Sequence, residues 1–214
     1  NSYDYISDLG LKSNYGVSFK NLNSSGKKNS LYKSSPQIEL AGLFNADLRL
    51  PLTKNSDKYN NSLTPKLSFR YNPSDMKNYS TSENKIDINN VFALNRLGLS
   101  DTLEAGRSLT LGLDFKKEKK DDLNEINNYF EMKLATVLRD KEDKFIPNKT
   151  SINQKNSNLF GSINSKLSNN LNLGYKFSID NDYNTFQYND LNATFSVNNF
   201  VTTFNFIEET GETG

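Results

Sequence analysis

The side chains best able to do chemistry in this sequence recur on one phase of alternating segments. Lys12, Lys20, Arg49, Lys66, Arg70, Lys116, Lys133, Arg139, Lys166 and Lys176 stand there with Asp47, Asp114, Glu131 and Asp180, ten basic against four acidic. A low-dielectric wall of that sign attracts phosphate, and arginine can grip phosphate bidentately. Lys66, Arg70, Lys116, Lys133, Arg139, Lys166 and Lys176 are the candidates for such contact. The plainer alternative is that the lysines snorkel or pair with loop carboxylates. A second group, Arg96, Asp101 and Glu104, lies in a long polar stretch with Asn95, Gly98 and Gly106. Arg96 with either acid would pin that stretch by a partly buried ion pair.

Other chemistries are excluded or poorly supported. The chain has no Cys and no His, which removes thiol nucleophiles, His-dependent triads, Cys or His zinc sites and disulfides. Glu208 with Glu209, Asp121 with Asp122 and Glu142 with Asp143 are adjacent pairs. Neighbours on a strand point to opposite faces, which is poor geometry for shared acid–base work. Glu39, Asp47 and Asp57 lack calcium-loop spacing, and no glycine-rich phosphate loop is present. No cofactor or metal is expected. A net charge of +1 gives no global field for nucleic acid, so no such partner is expected either.

The elements that carry these residues are strands. Leu171, Leu173, Tyr175, Phe177 and Ile179 alternate without a break with Asn172, Gly174, Lys176, Ser178 and Asp180. Period two means one apolar and one polar face. The same pattern runs through Leu109–Phe115, Phe130–Leu138 and Phe200–Phe206, and through earlier segments near 9–19, 40–52 and 63–71. About nine strands result, with no convincing amphipathic helix. Long polar loops near 21–37, 72–106 and 140–155 alternate with short turns such as Ser168-Asn169-Asn170 and Asn198-Asn199. Many segments reach the ~9 to 11 residues that cross a bilayer at a tilt, and long loops opposite short turns are an outer-membrane habit. The mean hydropathy of −0.72 then reflects a polar inner phase and solvated loops rather than disorder. A soluble β-sandwich is the competitor on periodicity alone. Phe186 and Tyr188 break phase with Leu191, which predicts either a bulge near Asn189-Asp190 or that the two rings belong to an aromatic girdle or a turn.

Two stretches carry a family resemblance. Leu63-Thr64-Pro65-Lys66-Leu67-Ser68-Phe69-Arg70-Tyr71-Asn72-Pro73, followed by Asp75-Met76-Lys77-Asn78, resembles the strand-to-loop segment of the LPS-assembly outer-membrane proteins, the LptD or organic-solvent-tolerance family. Asn90-Val91-Phe92-Ala93-Leu94-Asn95-Arg96-Leu97-Gly98, then Asp101, Glu104 and Gly106, is similar to its return into the barrel. Leu99-Ser100-Asp101-Thr102 stands where the family often has Gly and Arg, and the family's cysteines and lipid-receiving jellyroll do not appear here.

The resemblance implies an all-β antiparallel up-and-down meander, residues 1–214 being part of a large transmembrane barrel of about 26 strands and open in this fragment. The start at Asn1 without Met also suggests an internal piece. It further implies insertion of lipopolysaccharide into the outer leaflet of a Gram-negative outer membrane, without bond-making chemistry. The implied partners are lipopolysaccharide, outer-membrane lipid, a lipoprotein plug of the LptE type and a periplasmic lipid bridge of the LptA type. Arg96, Asp101 and Glu104 would then help close the extracellular mouth. A porin-like passive or substrate-specific channel uses the same wall grammar and is the alternative.

Overall fold

The computed structural model describes residues 3–28, 34–35, 37–120 and 126–210. The Asp121–Asp122 pair, the terminal Gly211–Gly214 and part of the 21–37 loop lie outside the described residues. The described residues form one antiparallel sheet in which nine long strands are joined by two short ones, β1 (Tyr5–Ile6) and β4 (Leu52–Asn55). The long strands are β2 (Lys12–Ser24), β3 (Gln37–Arg49), β5 (Tyr59–Asn72), β6 (Gly106–Lys120), β7 (Ile126–Arg139), β8 (Leu159–Ser168), β9 (Leu171–Ile179), β10 (Phe186–Val197) and β11 (Phe200–Glu209). Their spatial order follows the sequence, β4 pairing with β5 beside it, and the order has two ends, β1 and β11. Among the described residues no helix is long and apolar enough to cross a membrane.

Two compact units share these strands. In the unit of residues 49–66, 111–136 and 158–214, register alone sorts the faces. Met132 opposes Ile163, Ile163 opposes Tyr175, Tyr175 opposes Leu191 and Leu191 opposes Phe206, so one face is apolar from strand to strand. The neighbouring row, Phe130, Ser165, Leu173, Ala193 and Phe204, continues it. The opposite face reads Lys133, Ser162, Lys176 and Asp190 in one row and Glu131, Asn164, Gly174, Asn192 and Asn205 in the next. Phe204 and Phe206 are about half exposed, at 56% and 48%. An exposed apolar face of this extent is abnormal in water and normal against acyl chains.

The predicted bulge exists, two residues earlier than expected. Phe186 opposes Ile179 and Tyr188 opposes Ser178, which leaves Gln187 as the extra residue. Phe186 therefore belongs to the apolar face and Tyr188 to the polar one, and Asp190 falls opposite Lys176. A second shift lies between Lys166 and Ser168. Asn198 has φ 52°, the left-handed backbone that the tight β10–β11 turn requires.

The other unit, residues 1–48, 67–110 and 137–157, contains most of the fully buried side chains, and many come from loops. Val91, Leu97 and Leu99 from the 73–105 loop and Ile146 and Ile152 from the 140–158 loop are buried. The two loops bond to each other, the Tyr79 N–H donating to the Phe145 carbonyl at 2.8 Å and the Asn148 N–H to the Ser80 carbonyl at 3.1 Å. Polar sequence therefore concealed a small apolar core, because its hydrophobic residues are scattered without a period.

Candidate functional site

Within this unit the polar phase of the strands is covered by loop. Ser68, Arg70 and Asn72 of β5 and Ser108 and Thr110 of β6 are buried, whereas Tyr71 on the other phase is 40% exposed. The same holds in β3, where Leu43 and Asn45 are buried while Leu40 and Phe44 are exposed. Alternation thus points one phase into the loop core and the other outward.

At the centre is Glu104, from the end of the 73–105 loop. Arg96 grips it bidentately, Nε to Oε2 at 2.7 Å and Nη2 to Oε1 at 2.6 Å. Arg139 of β7 donates from Nη1 to Oε1 at 2.6 Å and from Nη2 to the Ala105 carbonyl at 2.5 Å. The remaining Arg96 donors reach Thr110 Oγ1 and Ser108 Oγ, both at 2.9 Å, and the Val91 carbonyl at 3.4 Å. Arg70 stands 3.9 Å from Glu104 and donates to the Ala93 and Leu94 carbonyls at 2.7 and 2.5 Å. Asn72 adds a bond to the Glu104 carbonyl at 3.1 Å. The loop is therefore fastened to β5, β6 and β7 through one carboxylate and three guanidinium groups.

Glycine is required twice. Gly106 has φ +82°, and a Cβ there would sit 2.9 Å from Arg139 Nη2. Gly98 has φ +66° and turns the chain after Arg96, its N–H donating to the Asn95 carbonyl at 3.0 Å. Asn95 in turn donates to the Leu99 carbonyl at 2.9 Å. Asp101 does not join the cluster. It accepts from the Tyr79 hydroxyl at 2.5 Å and pairs with Lys77 at 3.4 Å.

Burial alone would raise the Glu104 carboxyl, but the charge of Arg96, its hydrogen bonds and the charges of Arg70 and Arg139 outweigh it and hold the group at about 2. A carboxyl depressed in the folded state stabilises the fold above its free value and loses that contribution as pH falls through the folded value. Amide exchange in residues 73–105, corrected for intrinsic rate, should stay level between about pH 7 and about pH 5 and rise only as pH falls from about 4.5 toward about 2. A rise between neutral pH and about pH 5 would assign the closure to some other group.

The lysines belong to the other unit. Lys66 pairs with Asp114, Lys116 with Glu118, Lys133 with Glu131 at 3.3 Å and Lys176 with Asp190 at 3.9 Å. Lys166 is half-buried, opposite Tyr129 and Asn172 in the register. Glu118 and Asp190 are on the same phase as these lysines, so the acids of that phase include the partners of Lys116 and Lys176. Among the described residues no group of three or more Asp or Glu is placed to hold a metal ion. The sequence left Asp101 and Glu104 both open as the partner of Arg96, and the structure pairs it with Glu104. The approach of Arg70 and Arg139 to the same carboxylate was not legible, since nothing in sequence marks three strands as meeting under one loop.

No curated protein matches the sequence significantly. Residues 12–209 match the family model LptD, LPS transport system D. That match covers nearly all of the chain, which belongs to the LptD family of outer-membrane lipopolysaccharide-transport proteins.

Proposed function

We propose that this chain supplies part of the wall and part of the extracellular closure of a barrel that inserts lipopolysaccharide into the outer leaflet of a Gram-negative outer membrane. The observation that carries this reading is the Arg96–Glu104–Arg139 latch, which seals loop 73–105 onto the polar phase of β5, β6 and β7. A passive pore needs that phase open to solvent, whereas here Arg70, Asn72, Ser108 and Thr110 are buried beneath the loop. A closed top directs a lipid sideways into the leaflet instead of upward into water. No bond is made or broken in such a step.

The polar-phase lysines Lys66, Lys116, Lys133, Lys166 and Lys176 suit transient contact with saccharolipid phosphates. Asp114, Glu118, Glu131 and Asp190 compete for four of them, and a conduit that must release its cargo benefits from contacts that exchange readily. Arg70 and Arg139 serve the closure instead. A lipoprotein plug and a periplasmic lipid bridge complete the proposed assembly.

The test is the full-length protein carrying Glu104→Gln. Surface delivery of newly made lipopolysaccharide should fall, and entry of large polar antibiotics should rise. Unchanged delivery from an assembled variant whose loop has been shown to open would refute the reading.

A further inference from the structure

The outward phase of the β4–β6 region changes chemistry toward the short turns. Along β6 it runs Leu111, Leu113, Phe115 and then Lys117 and Lys119. In β4, Leu52 opposes Leu63 and Lys54 opposes Asn61, which places Lys54 on the same face. Tyr59 is the next outward position of β5, and Lys117 Nζ lies 4.5 Å from its ring centroid. Lys58 stands in the turn before it, its carbonyl accepting from the Lys120 N–H at 3.0 Å. Lys54, Lys58, Lys117 and Lys119 are all exposed. The acids of β6 and β7 occupy the other phase, where Asp114, Glu118 and Glu131 pair with Lys66, Lys116 and Lys133. Among the described residues of β4, β5 and β6, the outward phase holds no carboxylate.

Segregation of this kind fits a headgroup layer. Apolar positions give way on one face to cations with a tyrosine among them, as expected where a strand leaves hydrocarbon. Short turns mark the periplasmic side, and the lipid met there is glycerophospholipid. We propose that Lys54, Lys58, Lys117 and Lys119 form a binding site for anionic glycerophospholipid headgroups of the periplasmic leaflet. The cation over Tyr59 is pre-positioned, and Lys119 of the same strand, Lys54 of β4 and Lys58 of the turn share its end of the sheet. The site rests on the reading of the apolar face as lipid-facing, and it would anchor this part of the wall at a fixed depth.

The experiment uses the full-length protein reconstituted into vesicles of phosphatidylcholine with or without phosphatidylglycerol. Native mass spectrometry then counts the phosphatidylglycerol retained on extraction. Lys54→Gln with Lys58→Gln, Lys117→Gln and Lys119→Gln should lower that retention about ten-fold, the four-Arg variant should keep it, and high salt should abolish it in the unaltered protein. Equal retention by the Gln variant and the unaltered protein would overturn the site, as would equal retention of phosphatidylcholine. So would displacement of phosphatidylglycerol by purified lipopolysaccharide or by an acidic periplasmic protein at matched amounts. If the Gln variant does not fold, the salt response of the unaltered protein decides, and retention that ignores salt overturns the site. Failure to insert into either vesicle would instead refute the lipid-facing reading beneath it.

Discussion

Glu104→Gln should open the 73–105 loop, raising amide exchange there by two orders of magnitude or more, equivalent to roughly 3–5 kcal/mol. The reason is asymmetry. The folded protein buries Arg96, Arg70 and Arg139 around one carboxylate, and removing its charge leaves three guanidinium groups in a low-dielectric site with carbonyls, hydroxyls and, for Arg70, the charge of Asp47. Gln can still accept one bond from Arg96 but cannot neutralise it. Side-chain volume hardly changes, so a loss would report charge rather than packing. Arg96→Met with Glu104→Gln should recover part of the protection, because the most buried cation goes with its partner. Exchange in 73–105 that matches the unaltered protein would show that the loop's apolar residues hold it without the latch.

The strands were legible because burial and period coincide. Leu171–Ile179 alternates without a fault, and between the two register shifts its neighbours oppose it residue for residue. The position of the bulge was not, since Gln187, Asn189 and Asp190 are all polar and any of them restores the later phase. That uncertainty hid Asp190, and with it the partner of Lys176. Glu118 was overlooked for a related reason. It lies in the run Lys116-Lys117-Glu118-Lys119-Lys120, where alternation between charged residues carries no hydropathy signal. An ion pair of Arg96 with Asp101 or Glu104 could be anticipated because all three lie in one loop, but the choice between the acids could not, and Arg139 reaches Glu104 from 35 residues away. Contacts of that range belong to topology, which a single sequence reveals only after the strand order is known.

The loops were least legible of all, and their hidden core leads to the second large effect. Ile146→Ala should cost about 2–5 kcal/mol and should raise exchange in both the 73–105 and 140–157 loops together. Ile146, Ile152 and Val91 have no solvent exposure, although they lie in segments whose polar composition suggests solvated chain. The backbone bonds between Tyr79 and Phe145 and between Asn148 and Ser80 tie one loop to the other, so a cavity made in either should weaken the seat of both. Leu94, 40% exposed in the same loop as Val91, is the matched control, and its truncation should change stability by less than about 0.5 kcal/mol. If Ile146→Ala loosened residues 140–157 alone, the loops would be separate folding units and the Glu104 latch would close only the first of them. Coupled loosening would instead make the two loops one lid, in which the buried isoleucines supply the cohesion and Glu104 supplies the attachment to the strands.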